Sequence, residues 1–148
     1  MIEFKHITTA DIETIVSLME EFYGIDNYPI KSDVSKALFE EFISNQNLGK
    51  AWLIVSDNEI VGYLILTFVF SFEYQGKIAF LDELYITEKA RGKGIGSKAI
   101  EFTKEESHKL SLKLIYLEVE PHNKKAQNLY IASGFEMHNR KLMRLKTK

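Results

Sequence analysis

An α/β domain built on a mixed sheet is the fold this sequence predicts. Segments with strand and helix periodicity alternate along the chain, three successive apolar segments are joined only by short turns, and no linker, repeat or low-complexity stretch interrupts them. With 148 residues, 45% of them hydrophobic, the chain suffices for one buried core, so a single domain over residues 1–148 is expected.

Each element has its own signal. Residues 2–7, IEFKHI, alternate apolar and polar as a half-buried strand does. Ile12, Ile15, Val16, Met19 and Phe22 then recur at helical spacing up to Gly24, which reads as the stop. After the turn-like DNYPIKS, Val34, Leu38 and Phe42 recur every four residues and predict a second helix over 32–45. KAWLIVS, DNE and IVGYLILTFVF read as strand, tight turn and long strand, and EYQGK turns the chain into IAFLDELYI, giving three antiparallel strands. Beyond a glycine-rich loop, Ile95, Ala99, Phe102, Thr103 and Glu106 mark a helix. LIYLEVE is a continuous apolar strand, NKKAQNLYIAS a short helix closed by Gly134, and a last strand is expected over 135–145.

Composition narrows the function. A net charge of −2 and a pI near 6.1 give no overall basic field, so nucleic acid is not an expected partner. The absence of cysteine removes thiolate nucleophiles and Cys-ligated zinc, and His6, His108, His122 and His138 lack ligand spacing, so no metal is expected. The longest apolar stretch, residues 60–72, falls short of the roughly 20 residues that cross a bilayer, and the N-terminus does not read as a signal peptide. The expected setting is cytoplasmic, without membrane association.

The loop ARGKGIG, residues 90–96, alternates three glycines with basic side chains before a helix. Glycine lets a backbone approach a ligand closely, and the first helical turn leaves N–H groups without partners, so an anion such as a phosphate is the natural guest. A dinucleotide-binding turn would need G-x-G-x-x-G directly after a strand. Gly92, Gly94 and Gly96 have the wrong spacing, and no Walker A sequence occurs. Taken alone, the loop is equally well a solvated surface turn.

Its neighbours decide otherwise. FLDELYITEKARGKGIGSKAIEF followed by YLEVEPHNKKAQNLYIASGF resembles the cofactor-binding core of the GNAT acetyltransferase superfamily. Arg91, Gly94 and Gly96 match its R-x-x-G-x-G pattern, and Asn123, Ala126, Leu129, Tyr130, Gly134 and Phe135 match its N-x-x-A-x-x-L-Y-x-x-x-G-F pattern. The resemblance implies a central, mostly antiparallel mixed sheet of about six to seven strands flanked by about four helices. It also implies acetyl transfer from acetyl-CoA to a primary amine of a small cationic acceptor, by direct attack in a ternary complex. A protein or peptide N-acetyltransferase and a non-catalytic acyl-CoA sensor are the alternatives.

Roles follow by position. Backbone N–H groups of Arg91, Gly92, Lys93, Gly94, Ile95, Gly96 and Ser97 would hold the pyrophosphate, in the most basic neighbourhood of the chain. The resemblance implies that the pantetheine arm pairs with the main chain of Leu84, Tyr85 and Ile86, between strands that splay apart, and that Asn123 and Ala126 lie against the cofactor. An alkyl amine with a pKa near 10.4 is almost wholly protonated at pH 7, so a base must take its proton. Asp82 and Glu83 are the candidates, with Glu83 favoured as base, Asp82 as the group that attracts the cation, and the reverse assignment open. Adjacent strand residues point to opposite faces, so both line one cleft only if the strand bulges there, as the resemblance implies. Tyr130 occupies the family's general-acid position, facing the departing thiolate.

The acceptor is the least legible part. Glu20, Glu21, Phe22, Tyr23, Asp26 and Tyr28 interleave acids with aromatics on and after the first helix, which suits a cationic amine, and Glu21, Tyr23 and Tyr28 are taken as acceptor-binding together with Asp82 and Glu83. Exposed glutamates on a helix also serve simply to solvate it. Phe68, Phe70, Phe72 and Tyr74 alternate on one strand face and read as a buried sheet face rather than a pocket wall. With the terminal strand they would offer an edge for homodimer pairing.

Overall fold

The first alternating segment forms β1, Ile2–His6, which lies antiparallel to β2, Gly49–Ser56. Asp57 and Asn58, both at positive φ, make the two-residue hairpin turn from β2 into the long strand β3, Glu59–Ser71. β4, Gly76–Ile86, runs antiparallel to β3, and β5, Ile115–Tyr116, runs parallel to β4. The strands stand in sequence order in one mixed sheet.

The computed structural model describes residues 1–148, which form two compact units, Met1–Glu118 and Val119–Lys148. The first contains the sheet and three helices: α1, Ile12–Ile25; α2, Ser32–Ser44; and α3, Ile95–Lys109. The second contains α4, Lys124–Ala132.

Two apolar layers cover the sheet. Ile12, Ile15, Val16 and Met19 of α1 and Phe39 of α2 form one core with Ala51, Leu53, Tyr63, Ile65 and Tyr85. On the opposite face Phe102 of α3 stacks on Phe4, with ring centroids 4.1 Å apart, and meets Trp52 edge-on at 5.2 Å. Asp11 anchors the start of α1: one carboxylate oxygen accepts from the Thr8 N–H at 2.9 Å and the other from Lys5 Nζ at 2.7 Å. The lysine and the Thr8 donors hold the Asp11 carboxyl below its ordinary range despite partial burial.

The expected architecture is present, with three differences. The sheet has five strands rather than six or seven. LIYLEVE contributes only Ile115 and Tyr116 to a ladder, and residues 135–145 form no strand, with Met137, Leu142, Met143 and Leu145 exposed. The stripe Phe68 to Tyr74 is not a buried face. Phe70 and Phe72 are 69% and 89% exposed and touch each other edge-on, while Phe68 lies beneath Lys77 Nζ.

Candidate active site

A strand that alternates strictly cannot bring two successive carboxylates to one place, and β4 breaks its alternation where they occur. Ile65 pairs with Glu83 and Leu66 with Leu81, so Asp82 is an extra residue without a partner on β3. This is the expected β-bulge. It carries Glu83 to the α1 side of the sheet, beside Tyr63 and Tyr85, and leaves Asp82 exposed at the kink.

Glu83 is half-buried and held at both oxygens. Tyr23 Oη of α1 donates to Oε2 at 2.8 Å, and Tyr63 Oη of β3 donates to Oε1 at 2.7 Å. Burial pushes its carboxyl above the ordinary range, with the Asp82 charge adding to the rise and the two phenols opposing it. The Asp82 carboxyl is also raised, by partial desolvation among neighbouring atoms although its surface is open, and then by the Glu118 charge. Both phenols are pushed upward, chiefly by burial and by the Glu83 anion they face, so they remain donors.

The acceptor-side residues divide. Glu21 accepts from Tyr85 Oη at 3.1 Å, and Phe22 stacks on the Tyr85 ring at 5.1 Å. Tyr23 joins Glu83. Tyr28 is exposed past the end of α1, its N–H bonded to the Tyr23 carbonyl at 2.9 Å. Tyr63 was not singled out from the sequence. The available signal was a phenol amid an apolar strand run, since a buried Tyr hydroxyl requires a polar partner.

β4 and β5 part immediately. Their ladder consists of Ala79 with Ile115 and Phe80 with Tyr116, so the edge of β4 from Leu81 to Ile86 lies beyond it. The Leu84, Tyr85 and Ile86 main chain lies on that stretch, with alternate backbone groups directed away from β3. The Ile86 carbonyl accepts from Arg91 Nε at 3.0 Å, which anchors the glycine loop to the strand end.

In the loop, Gly92 and Gly94 both sit at φ 77°, and a Cβ on either would meet nothing within 4 Å. Gly94 caps α3, and the first intrahelical bond runs from the Lys98 N–H to the Gly94 carbonyl at 3.2 Å. The preceding helical N–H groups, of Ile95, Gly96 and Ser97, therefore point out of the helix end. Ile95 is buried as an anchor, and Gly96 lies within the first helical turn rather than in the loop. Open space, three outward donors and the surrounding Lys89, Arg91, Lys93 and Lys98 fit a pyrophosphate.

Within the second unit, Asn123 caps α4, its Oδ1 accepting from the Ala126 N–H at 3.1 Å. That oxygen is thus engaged by the helix itself. Tyr130 is half-buried with its ring edge-on to Phe135 at 5.7 Å, and burial raises its phenol, which stays protonated through neutral pH.

A model of the acetyltransferase (GNAT) family matches residues 12–135. The chain belongs to this family. As a GNAT protein it is an N-acetyltransferase that takes its acetyl group from acetyl-CoA and passes it to an amine. It is 28% identical to a D-amino-acid N-acetyltransferase of Saccharomyces cerevisiae over 89% of this chain and 83% of the relative. An integron cassette protein from the mobile metagenome of Cole Harbour Salt Marsh superposes with a TM-score of 0.88 at 30% identity, covering 98% of this chain and 90% of the other. A predicted acetyltransferase of Clostridium acetobutylicum, solved with acetyl-CoA, has the same GNAT fold at 17% identity, with a TM-score of 0.82 and coverage of 98% and 96%. No helix is long and apolar enough to cross a membrane.

The loop assignment predicts a thermal shift. At about 100 times its Kd, coenzyme A stabilises the fold by about 2.7 kcal/mol, several degrees in Tm at this chain length, whereas NADH gives no shift. Gly94→Ala and Gly94→Glu both incur the left-handed backbone penalty of about 1–2 kcal/mol, but only the glutamate places negative charge at the helix end. Differential scanning fluorimetry should show the coenzyme A shift reduced in the first and lost in the second. A full shift with Gly94→Glu would remove the pyrophosphate from this loop.

Proposed function

We propose that the acceptor is a small cationic amine and that residues 1–148 act as one catalytic domain, with Glu83 as base, Asp82 attracting the ammonium and Tyr130 as general acid. The observation that carries this reading is the bulge at Asp82, which sets a solvent-facing carboxylate directly beside a half-buried one. A carboxyl raised by burial is better matched to accepting an ammonium proton near neutrality than an ordinary one. The relative whose name specifies D-amino acids supports a small amine as the class. At 30 residues, Val119–Lys148 is too short for an independent core, which supports its acting with the first unit.

Bound acetyl-CoA supplies the activated acyl group. Outward N–H groups of Ile95, Gly96 and Ser97 bind its phosphates, and the open edge of β4 at Leu84, Tyr85 and Ile86 orients the pantetheine arm. In the ternary complex Asp82 draws the ammonium to the bulge, Glu83 takes its proton directly or through water, and the neutral nitrogen attacks. Backbone N–H groups at the bulge stabilise the developing oxyanion; as the intermediate collapses, the C–S bond breaks, the Tyr130 phenol protonates the departing thiolate, and the phenolate is restored by the proton the acetylated nitrogen gives up. Glu21, Tyr23 and Tyr28 form the acceptor side of the site.

An amine panel assayed for free-thiol release, repeated with Glu83→Gln, tests this. For the best amine, kcat/KM of the variant should fall by roughly 10²–10⁴-fold at pH 7 and recover as pH approaches the amine's own pKa, because solvent then removes the proton. Equal rates for variant and wild type across pH 6 to 9 would refute the base assignment.

A further inference from the structure

Glu83 lies where a long, flexible carboxylate should be poorly fixed. It follows an unpaired bulge residue, and a glutamate side chain costs over 1 kcal/mol of rotamer entropy to order. Yet two phenols from two different elements, Tyr23 at the end of α1 and Tyr63 on β3, each donate to a different carboxylate oxygen. Each oxygen offers two lone-pair directions, so one on each remains for an acceptor or a water.

We propose that Tyr23 and Tyr63 are positioning residues, a two-point clamp that fixes the Glu83 carboxylate in one orientation and sustains its charge inside the site. This rests on the reading of Glu83 as the base. Three features carry it. The two donors are spatially independent, so together they define the plane of the carboxylate as one could not. Tyr63 is fully buried and pairs across the strands with Tyr85, whose ring Phe22 stacks upon, so its hydroxyl is delivered from a rigid aromatic layer. Tyr23 lies on the last turn of α1, immediately before the loop that bears Tyr28, so the clamp ties the acceptor-side segment to the base.

The titratable groups around Glu83 are Tyr23 from α1, Tyr63 from β3, and Asp82 and Tyr85 from β4, with Glu118 acting on Asp82 and Glu21 bonded to Tyr85. Among them only the two phenols favour the anion. Removing either should make Glu83 easier to protonate.

The test uses the full chain labelled with [δ-13C]glutamate, the Glu83 signal being assigned by its loss in Glu83→Gln. In Tyr23→Phe and in Tyr63→Phe the titration midpoint of Glu83 should move upward, and further in the double variant. kcat/KM at pH 7 should fall roughly tenfold in each single variant, its acid limb moving in the same direction while KM for acetyl-CoA is unchanged. Tyr23 is only half-buried, so Tyr23→Phe keeps the test available if Tyr63→Phe does not fold. Midpoint and acid limb unmoved in the folded tyrosine variants, with the limb abolished in Glu83→Gln, would overturn the clamp alone. An acid limb that survives Glu83→Gln would overturn the base reading and the clamp's catalytic role with it.

Discussion

Tyr130→Phe is expected to lower kcat by roughly 10- to 10⁴-fold while barely changing stability or coenzyme A affinity. Phenylalanine keeps the ring and its edge-on contact with Phe135, so the packing of α4 is preserved and only the hydroxyl is lost. Burial raises the Tyr130 phenol above its ordinary value. The proton that this proposed role requires is therefore present throughout neutral and mildly alkaline pH, and the wild type should show no loss from this group between pH 6 and 9. Nor should alkali rescue the variant, since a base cannot replace a missing acid. That separates it from Glu83→Gln, which recovers as pH rises. Steady-state rates from pH 6 to 9 with the best amine check both points, and a wild-type kcat for Tyr130→Phe would make the phenol structural.

A large stability effect is expected at a residue with no chemistry. Gly62 pairs with Ile86, and a Cβ built on it would stand 2.1 Å from the Tyr85 carbonyl oxygen, a backbone atom of the strand that bears the site. A flexible side chain could swing away from such a contact, but a paired strand moves only by breaking its ladder. Gly62→Ala should cost about 3 kcal/mol or more, a large share of the about 5–15 kcal/mol available to an ordinary domain. Gly24→Ala, where the added Cβ meets nothing within 4 Å on the last turn of α1, should be neutral or stabilising by up to about 1 kcal/mol. Urea denaturation of both variants tests the contrast, and similar midpoints would mean that β3 and β4 separate more easily than their register implies.

The elements with strong periodicity were legible. Ile12 to Phe22 and Val34 to Phe42 became α1 and α2, and the apolar runs from Ala51 to Ile86 became β2 to β4. What failed was any reading that depended on a covering partner. Phe70 and Phe72 have the alternation of a buried face, but alternation states only that a stripe exists, and nothing within β3 specifies what lies over it. Residues 135–145 have apolar side chains at both ends of the polar run HNRK, yet a strand also needs a ladder, and Met137, Leu142, Met143 and Leu145 stay exposed. Within the site the charged residues were readable because two adjacent acids in an apolar strand are costly without a purpose. Tyr63 was not, because its hydroxyl looks like part of a hydrophobic run until Glu83 is placed beside it.

The unpaired residue in β4 also determines which genetic changes the strand can survive. Before the bulge the odd-numbered Ala79 and Leu81 share a face with Leu66 and Phe68, and after it the odd-numbered Glu83 and Tyr85 share the opposite face with Ile65 and Tyr63. The two halves are out of phase by one residue, and Asp82 is the phase shift. A substitution there changes a charge. Loss of that single codon would set Leu81 and Glu83 side by side, still opposite Leu66 and Ile65, so both halves would keep their faces and the strand would lose only its kink and the carboxylate at it. Loss of Leu84, by contrast, would carry Tyr85 through the sheet to the opposite face, so what a change in length does to this strand depends on whether it falls at its extra residue or beyond it.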